Sequence, residues 1–357
     1  MPPTAKTSAS GDAMLVGMDL GTSSTAVVFD GGSLYLPTAL SRPKPGVLPG
    51  LLPNGGATLY GKEALSHHNL VDVVWPIRQG TVAEPQAASE FSAHVASLVD
   101  PERKKSLHVV VGTPAHAPAG HMSAVRQALG GSFHKVQLYP EPFLVVMGLR
   151  QNGNAGNGES DPALNSMVID IGAGTTDVTI VQGMLPGLDH QLSVPIAGDS
   201  VDQRLWDYMV HLYPDLSMPR TRVTALKEEH SYLGEMKSIT ASYPVLGEIQ
   251  PLEIGEAVRI ACQTLIDPCV SMAAALLRKS PPEMVEGLQQ NIILAGGGSR
   301  IENLDAVIQE KLKQKGFTAT VVRKVKNYRH LVGEGALAIA KQSHATDWQN
   351  LTVVSKG

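Results

Sequence analysis

A short pattern that occurs twice constrains this chain more than anything else in it. The apolar stretch Leu15-Val16-Gly17-Met18 runs into Asp19, Gly21, Thr22, Ser23 and Ser24, then returns through Ala26-Val27-Val28-Phe29. Met167-Val168-Ile169 does the same: it enters Asp170 and Gly172-Ala173-Gly174-Thr175-Thr176-Asp177, then returns through Val178-Thr179-Ile180-Val181. Each reads as a β-hairpin with a turn of small residues. The two aspartates stand 151 residues apart. A unit repeated half a chain apart predicts two domains of like topology facing each other. A chain of 357 residues suits that division, because it is too long for one small core.

The turns point to phosphate. Several backbone N–H groups must reach one phosphate oxygen together, and only glycine and other small residues let the chain come so close. Thr22, Ser23, Ser24, Thr175 and Thr176 add hydroxyl donors, and two such turns from two domains would clamp one polyphosphate. Asp19 and Asp170 each end a strand just before a turn. There a carboxylate can hold the water shell of Mg2+, which keeps several waters and takes few protein ligands. Capping of its own turn is the alternative for either aspartate. Asp177 closes the second turn and suits a structural role and a metal-shell role equally.

Three further sites carry weaker signals. Asn291-Ile292-Ile293-Leu294 is a buried strand that meets Ala295-Gly296-Gly297-Gly298-Ser299-Arg300, with a helix from near Asn303. One glycine suffices for a strand-to-helix turn; three leave room for a flat base or sugar against the backbone, with amides at the helix start. Glu141 follows the strand-like Lys135-Val136-Gln137-Leu138, where a carboxylate could orient water. On spacing alone the reading of a helix-opening Glu favoured by the macrodipole is preferred. Lys227 and Glu228 sit in a helical stretch of mixed charge, and composition alone makes that a solvated face. Residues 256–277 follow helical spacing, with Pro268 expected to kink or split the helix. Gly333-Glu334-Gly335-Ala336 reads as a glycine turn into a last helix.

Composition excludes several classes. With 43 % hydrophobic and 17 % charged residues the chain is globular rather than disordered or fibrous. A net charge of -4 argues against nucleic acid held by bulk charge. Cys262 and Cys269, seven apart on a helix, are too distant for a disulfide and suit a reducing cytosol. The twelve histidines show no zinc spacing. No run of eighteen apolar residues is seen, so no transmembrane helix is expected. Residues 1–13 lack a secretory apolar core and read as a flexible tail; residues 151–162, rich in Asn and Gly, read as a mobile loop.

Gly17-Met18-Asp19-Leu20-Gly21-Thr22-Ser23, the segment from Ile169 to Asp177, and Leu294-Ala295-Gly296-Gly297-Gly298-Ser299-Arg300-Ile301 resemble the two phosphate motifs and the adenosine motif of the actin, sugar-kinase and heat-shock-chaperone ATPase superfamily. Within it, Glu141-Pro142-Phe143 and Gln290-Asn291-Ile292 are similar to the bacterial actins of the MamK group, which form filaments beside magnetosomes. The resemblance spans about residues 14 to 345. It implies an α/β, actin-like, two-lobed ATPase fold, with two RNase H-like subdomains around a nucleotide cleft, each carrying a smaller inserted subdomain. Lobe I is expected over 14–162 (smaller subdomain about 36–75) and lobe II over 163–330 (about 200–252), with 331–357 returning to lobe I.

The resemblance also implies ATP/ADP and Mg2+ as cofactors, with Asp19 and Asp170 holding the metal through water. It places Glu141 as the residue that positions hydrolytic water. Gly21, Thr22, Ser23, Ser24, Gly172, Ala173, Gly174, Thr175, Thr176, Asp177, Lys227, Glu228, Gly296, Gly297, Gly298 and Arg300 would contact the nucleotide. The implied activity is ATP hydrolysis coupled to cytoplasmic filaments of the protein itself, which position magnetosomes through adaptor proteins, without nucleic acid and without direct membrane insertion. The rivals are a cell-shape actin of the MreB type, a small-molecule kinase and a chaperone ATPase. No Asp lies between Leu107 and Leu138 to serve a kinase, and a chaperone needs a peptide-binding domain after the last helix.

Overall fold

The computed structural model describes residues 13–48, 50–67, 69–153 and 161–351. All but the last residue of the expected tail and most of the 151–162 loop lie outside the described residues. The chain forms two compact units, residues 1–113, 117–152 and 329–357 in the first and residues 114–116 and 153–328 in the second.

In the first unit, Ala13–Leu20, Ser24–Phe29 and Gly32–Pro37 form an antiparallel meander. Ser106–Thr113 and Lys135–Pro140 continue the sheet in parallel on the other side of Ala13–Leu20, and Gln349–Asn350 pairs antiparallel with the Lys135 strand. Parallel strands covered on both faces read as continuous apolar runs, which is why Val109-Val110-Val111 shows no alternation. Val16, Met18, Val109 and Val111 pack on one face with Phe91 and Val95 of helix Pro85–Val99 and with Val125 and Leu129 of helix Ala119–Leu129. A three-stranded sheet of Leu40–Pro43, Leu59–Tyr60 and Val71–Val74 forms a satellite, with Leu52, Leu59, Ala64 and Val71 as its own core.

Helices Glu141–Gln151 and Tyr328–Gln342 meet residues of the sheet's other face at glycines. This corrects the expected turn at Gly333: both Gly333 and Gly335 lie inside the last helix. Tertiary contact overrides their weak helix propensity. A Cβ on Gly335 would collide with the Leu144 carbonyl oxygen, one on Gly148 with the Leu331 carbonyl oxygen, and one on Gly17 with the Gly333 carbonyl oxygen. Backbone thus packs on backbone, strand to helix and helix to helix.

The second unit repeats the first. Ser166–Ile171, Thr176–Val181 and Gln191–Val194 form the meander; Ile292–Ala295 and Val322–Lys324 continue it in parallel. Its core joins Met167, Ile169, Ile171, Val178 and Ile180 to Val201, Leu205 and Met209 of helix Gly198–Leu212, and to Leu304, Ile308 and Leu312 of helix Leu304–Gln314. A hairpin of Thr240–Val245 and Glu248–Glu253 lies between these elements in sequence.

The expected break at Pro268 is present. Helices Gly255–Gln263 and Ile266–Lys279 divide at Thr264 and Leu265. Pro268 has no N–H for the carbonyl four residues earlier, which is that of Thr264. By length and composition alone, the stretch Gly255–Lys279 is apolar enough to cross a bilayer. Here its apolar residues Val258, Ala261, Leu265, Met272, Ala273 and Leu276 are buried in the unit's core. Cys262 and Cys269 are buried free thiols on this stretch, and burial pushes each pKa up to about 12, so they are inert packing groups.

Two glycine-to-alanine variants separate backbone contact from helix propensity. Gly335→Ala should lower stability by about 3 kcal/mol or more, because carbonyl and amide groups cannot yield as a side chain can. Gly120→Ala, in the open on helix Ala119–Leu129, should gain about 0.5–1 kcal/mol. Denaturant unfolding of both variants reads the opposite signs.

Candidate functional site

The two hairpins share one register. Asp19 pairs with Ala26 and Leu20 with Thr25; Asp170 pairs with Asp177 and Ile171 with Thr176. Each aspartate therefore stands one pair before a four-residue turn. Each also adjoins a glycine on the parallel neighbour strand or just past its end. Asp19 is in register with Gly112, and Asp170 with Ala295, the residue before Gly296.

In the first unit Glu141 opens its helix directly after the strand Lys135–Pro140. A methyl group on Gly112 would lie 2.8 Å from Glu141 Cγ, so the glutamate side chain crosses the position that Gly112 leaves vacant. Asp19, Gly112 and Glu141 thus stand at one end of one sheet. Sequence reasoning gave Gly112 no role; its signal was a glycine ending a valine run, which marks close approach. Thr22 Oγ1 accepts from the Gly80 amide at 3.0 Å, and Ser24 donates to the Tyr35 hydroxyl at 2.9 Å. Ser24 is therefore engaged within its own sheet rather than presented as a donor. The Ser23 carbonyl accepts from Thr38, and Gly21 is needed because a Cβ there would sit 2.7 Å from the Ser24 carbonyl oxygen.

In the second hairpin both threonine hydroxyls have partners within the protein. Thr176 is fully buried and donates to the Ile196 carbonyl at 2.7 Å. Thr175 donates to Asp177 at 2.9 Å, and Asp177 also accepts from the Ala115 amide at 3.0 Å. Burial raises the pKa of Asp177, and bonds from Ser193, Ala115 and Thr175 partly offset this. Asp177 thus ties its own turn to the Ala115 backbone. Within the turn the Gly172 amide donates to the Thr175 carbonyl at 2.9 Å, and Ala173 and Gly174 form its tip.

The glycine triplet divides into two kinds. Gly296 has φ +74° and no room for a Cβ, which would strike the Ile171 carbonyl and Asp170 Oδ1. Gly298 is likewise closed by the Ile171 side chain. Packing explains both. Gly297 is exposed, and a Cβ on it would meet nothing within 4 Å. Ser299 donates to the Gly296 carbonyl at 2.7 Å and holds the turn, while Arg300 is exposed at its end. Glu228 is exposed on helix Arg220–His230. Lys227 differs from the solvated residue that composition alone suggests: its ammonium pairs with Asp202 at 2.8 Å and donates to the Gly198 carbonyl at 3.1 Å.

The electrostatics agree with a cation-binding role for the first aspartate. Asp19 has intermediate exposure by area, yet protein crowds its carboxylate, and burial pushes its pKa up to about 7. A carboxylate that is costly to ionise is stabilised by an incoming positive charge. Among the described residues no group of three or more His, Cys, Asp or Glu side chains is placed to hold a metal ion. A cation that keeps its water shell and takes one or two carboxylates fits this donor set.

Residues 13–327 match the family model described as MreB/Mbl protein. The chain belongs to the MreB/Mbl family. It is 31 % identical over 349 residues to the actin-like protein MamK of Paramagnetospirillum magneticum, covering 96 % of each chain. It is 30 % identical to MamK of Magnetospirillum gryphiswaldense, covering 96 % of this chain and 93 % of that one. The cell shape-determining protein MreB of Escherichia coli is 29 % identical over 252 residues, 68 % of this chain and 70 % of that one. Among solved structures, a MamK double helical filament superposes with a TM-score of 0.84 at 30 % identity, covering 92 % of this chain and 99 % of the other. A non-polymerising MamK mutant bound to AMPPNP gives 0.65 at 30 % identity, with the same coverage. The fold is the actin-like fold of these proteins.

The raised pKa of Asp19 has a defined sign. The folded protein holds the proton more tightly than the unfolded chain, so the group's stabilising contribution is fully present below the ordinary aspartate value of 3.8 and is lost as pH rises through about 7. Three pKa units set an upper bound of about 4 kcal/mol. Asp19→Asn should therefore melt higher than the native protein at pH 8 without nucleotide, and the difference should close between pH 7 and pH 4. Paired thermal melts across that range measure it.

Proposed function

We propose that this protein binds and hydrolyses ATP and polymerises into cytoplasmic filaments that organise or position magnetosomes in a chain, with adaptor proteins on those organelles as partners. The observation that carries the nucleotide part is Gly297. Its two neighbours are glycines because the fold leaves them no room, whereas Gly297 opens onto empty space. At the end of a strand, between two glycines that packing does require, such an open glycine leaves the backbone accessible to a ligand.

The adenosine end of the nucleotide lies against Gly296, Gly297 and Gly298, with Glu228 and Arg300 beside it. The amides of Ala173, Gly174 and Thr175 in the second hairpin, and those of Gly21, Thr22 and Ser23 in the first, are donors for the phosphates. Asp19 and Asp170 hold Mg2+ through its water shell. When bound, the metal supplies positive charge at the β- and γ-phosphates. Glu141 orients the attacking water and accepts hydrogen bonds from it. Its place over Gly112, in register with Asp19, supports that role. The MamK mutant bound to AMPPNP supports the nucleotide, and the MamK double helical filament supports self-association. MamK relatives align over 96 % of the chain, against 68 % and 84 % for the cell-shape relatives MreB and Mbl, which favours the magnetosome reading over the cell-shape one.

Electron microscopy of the purified protein with ATP and Mg2+ should show filaments, and none without nucleotide. Filaments absent across salt and protein concentration would sink the polymer reading. Glu141→Ala should assemble normally but release phosphate at least about tenfold more slowly; turnover at the native rate would remove Glu141 from the mechanism. Gly297→Val should keep the native melting temperature while weakening ATP binding about tenfold or more, and unchanged binding by calorimetry would refute the adenosine site.

A further inference from the structure

Helix Gly198–Leu212 begins against the second hairpin. The Gly198 amide donates to the Gly172 carbonyl at 3.1 Å, and the Asp199 amide donates to the Ala173 carbonyl at 2.8 Å. Two amides of the helix's first turn, which lack partners within the helix, are thus spent on the phosphate turn itself. The Gly198 carbonyl accepts from Lys227 Nζ at 3.1 Å, and the same ammonium lies 2.8 Å from Asp202 Oδ1. The other oxygen of Asp202 accepts from Thr224 at 2.7 Å. The Lys227 and Asp202 side chains are only 14 % and 16 % exposed. Gly198 has little room to shift. A Cβ on it would lie 3.2 Å from the Gly172 carbonyl oxygen and 3.3 Å from both Ala173 Cα and Lys227 Nζ.

These contacts form one chain, from Thr224 through Asp202, Lys227 and Gly198 to the tip of the second hairpin. Two of the directions open to the Lys227 ammonium are taken up inside the protein, by Asp202 and by the Gly198 carbonyl. Its second bond goes to the residue that fixes the hairpin. We propose that Lys227 and Asp202 are positioning residues for the second phosphate hairpin: they hold Gly198 and the Gly172 and Ala173 carbonyls in place. This rests on the nucleotide reading above and assigns Lys227 to the phosphate end, through the backbone, rather than to the adenosine end.

The test compares ATP with adenosine, which has no phosphate, on the full-length protein. Lys227→Met and Asp202→Asn should each weaken ATP binding about tenfold and leave adenosine binding within about twofold. The double variant should bind ATP no more weakly than the poorer single, because the two residues act as one unit. Lys227→Arg should restore most of the affinity. Amide hydrogen exchange, read independently of affinity, should quicken at Gly198 and Asp199 in both single variants. Lys227→Met weakening adenosine as much as ATP would overturn the proposal and return Lys227 to the sugar or base. Asp202→Asn with native ATP binding and native exchange would also overturn it. Failure of the native protein to bind ATP would instead defeat the nucleotide reading, and the positioning role with it.

Discussion

Glycine beside a strand-end aspartate is the constraint on which the candidate site residues of each unit depend. In the first unit Gly112 lies in register with Asp19, and Glu141 crosses the space it leaves. In the second, Gly296 follows the residue in register with Asp170, and the Asp170 carboxylate fills the space where its Cβ would be. In each unit a backbone position without a side chain lets a carboxylate sit at the end of the central strands. Ligands of open α/β sheets collect at those strand ends. The duplicated topology thus places one acid per unit, and the surrounding glycines decide what stands next to it.

Such an arrangement works against stability where it serves binding. Burial of Asp19 makes its charge unfavourable in the folded chain without a cation, and glycines give up conformational entropy on folding. The fold offsets this with close backbone packing around the last helix, where Gly17, Gly148, Gly333 and Gly335 allow strand and helices to touch. The same residue type therefore does opposite things: at Gly335 it tightens the scaffold, and at Gly297 it leaves the surface open.

The strands and the hairpins were legible because their signals are local. An apolar run, an aspartate and a small-residue turn identify a hairpin without knowledge of its neighbours, and Pro268 announces its own helix break. What escaped was the set of features decided by distant contacts. Gly333 and Gly335 read as a turn because their partners, Gly17 and Leu144, lie far away in sequence. The hydroxyls of Thr175 and Thr176 look like ligand donors until Asp177 and the Ile196 carbonyl are seen to accept from them. The apolar content of Gly255–Lys279 is that of a membrane span, and only its place in the second unit's core explains it. Motif spacing identifies which segments meet a ligand, but not which atoms remain available to it.

That distinction bears on Lys227. Two residues adjacent in sequence, Lys227 and Glu228, belong to one motif, yet on a helix successive side chains point about 100° apart and meet different surroundings. One is drawn inward to Asp202 and Gly198, and the other remains exposed. A charge satisfied inside the protein acts through the backbone it fixes, whereas an exposed one can act on a ligand directly. The second hairpin is therefore braced from beneath, by a largely covered ion pair and a helix start. The glycine turn after Ile292–Ala295 is shaped by exclusion, where Gly296 and Gly298 close the turn and Gly297 is left bare.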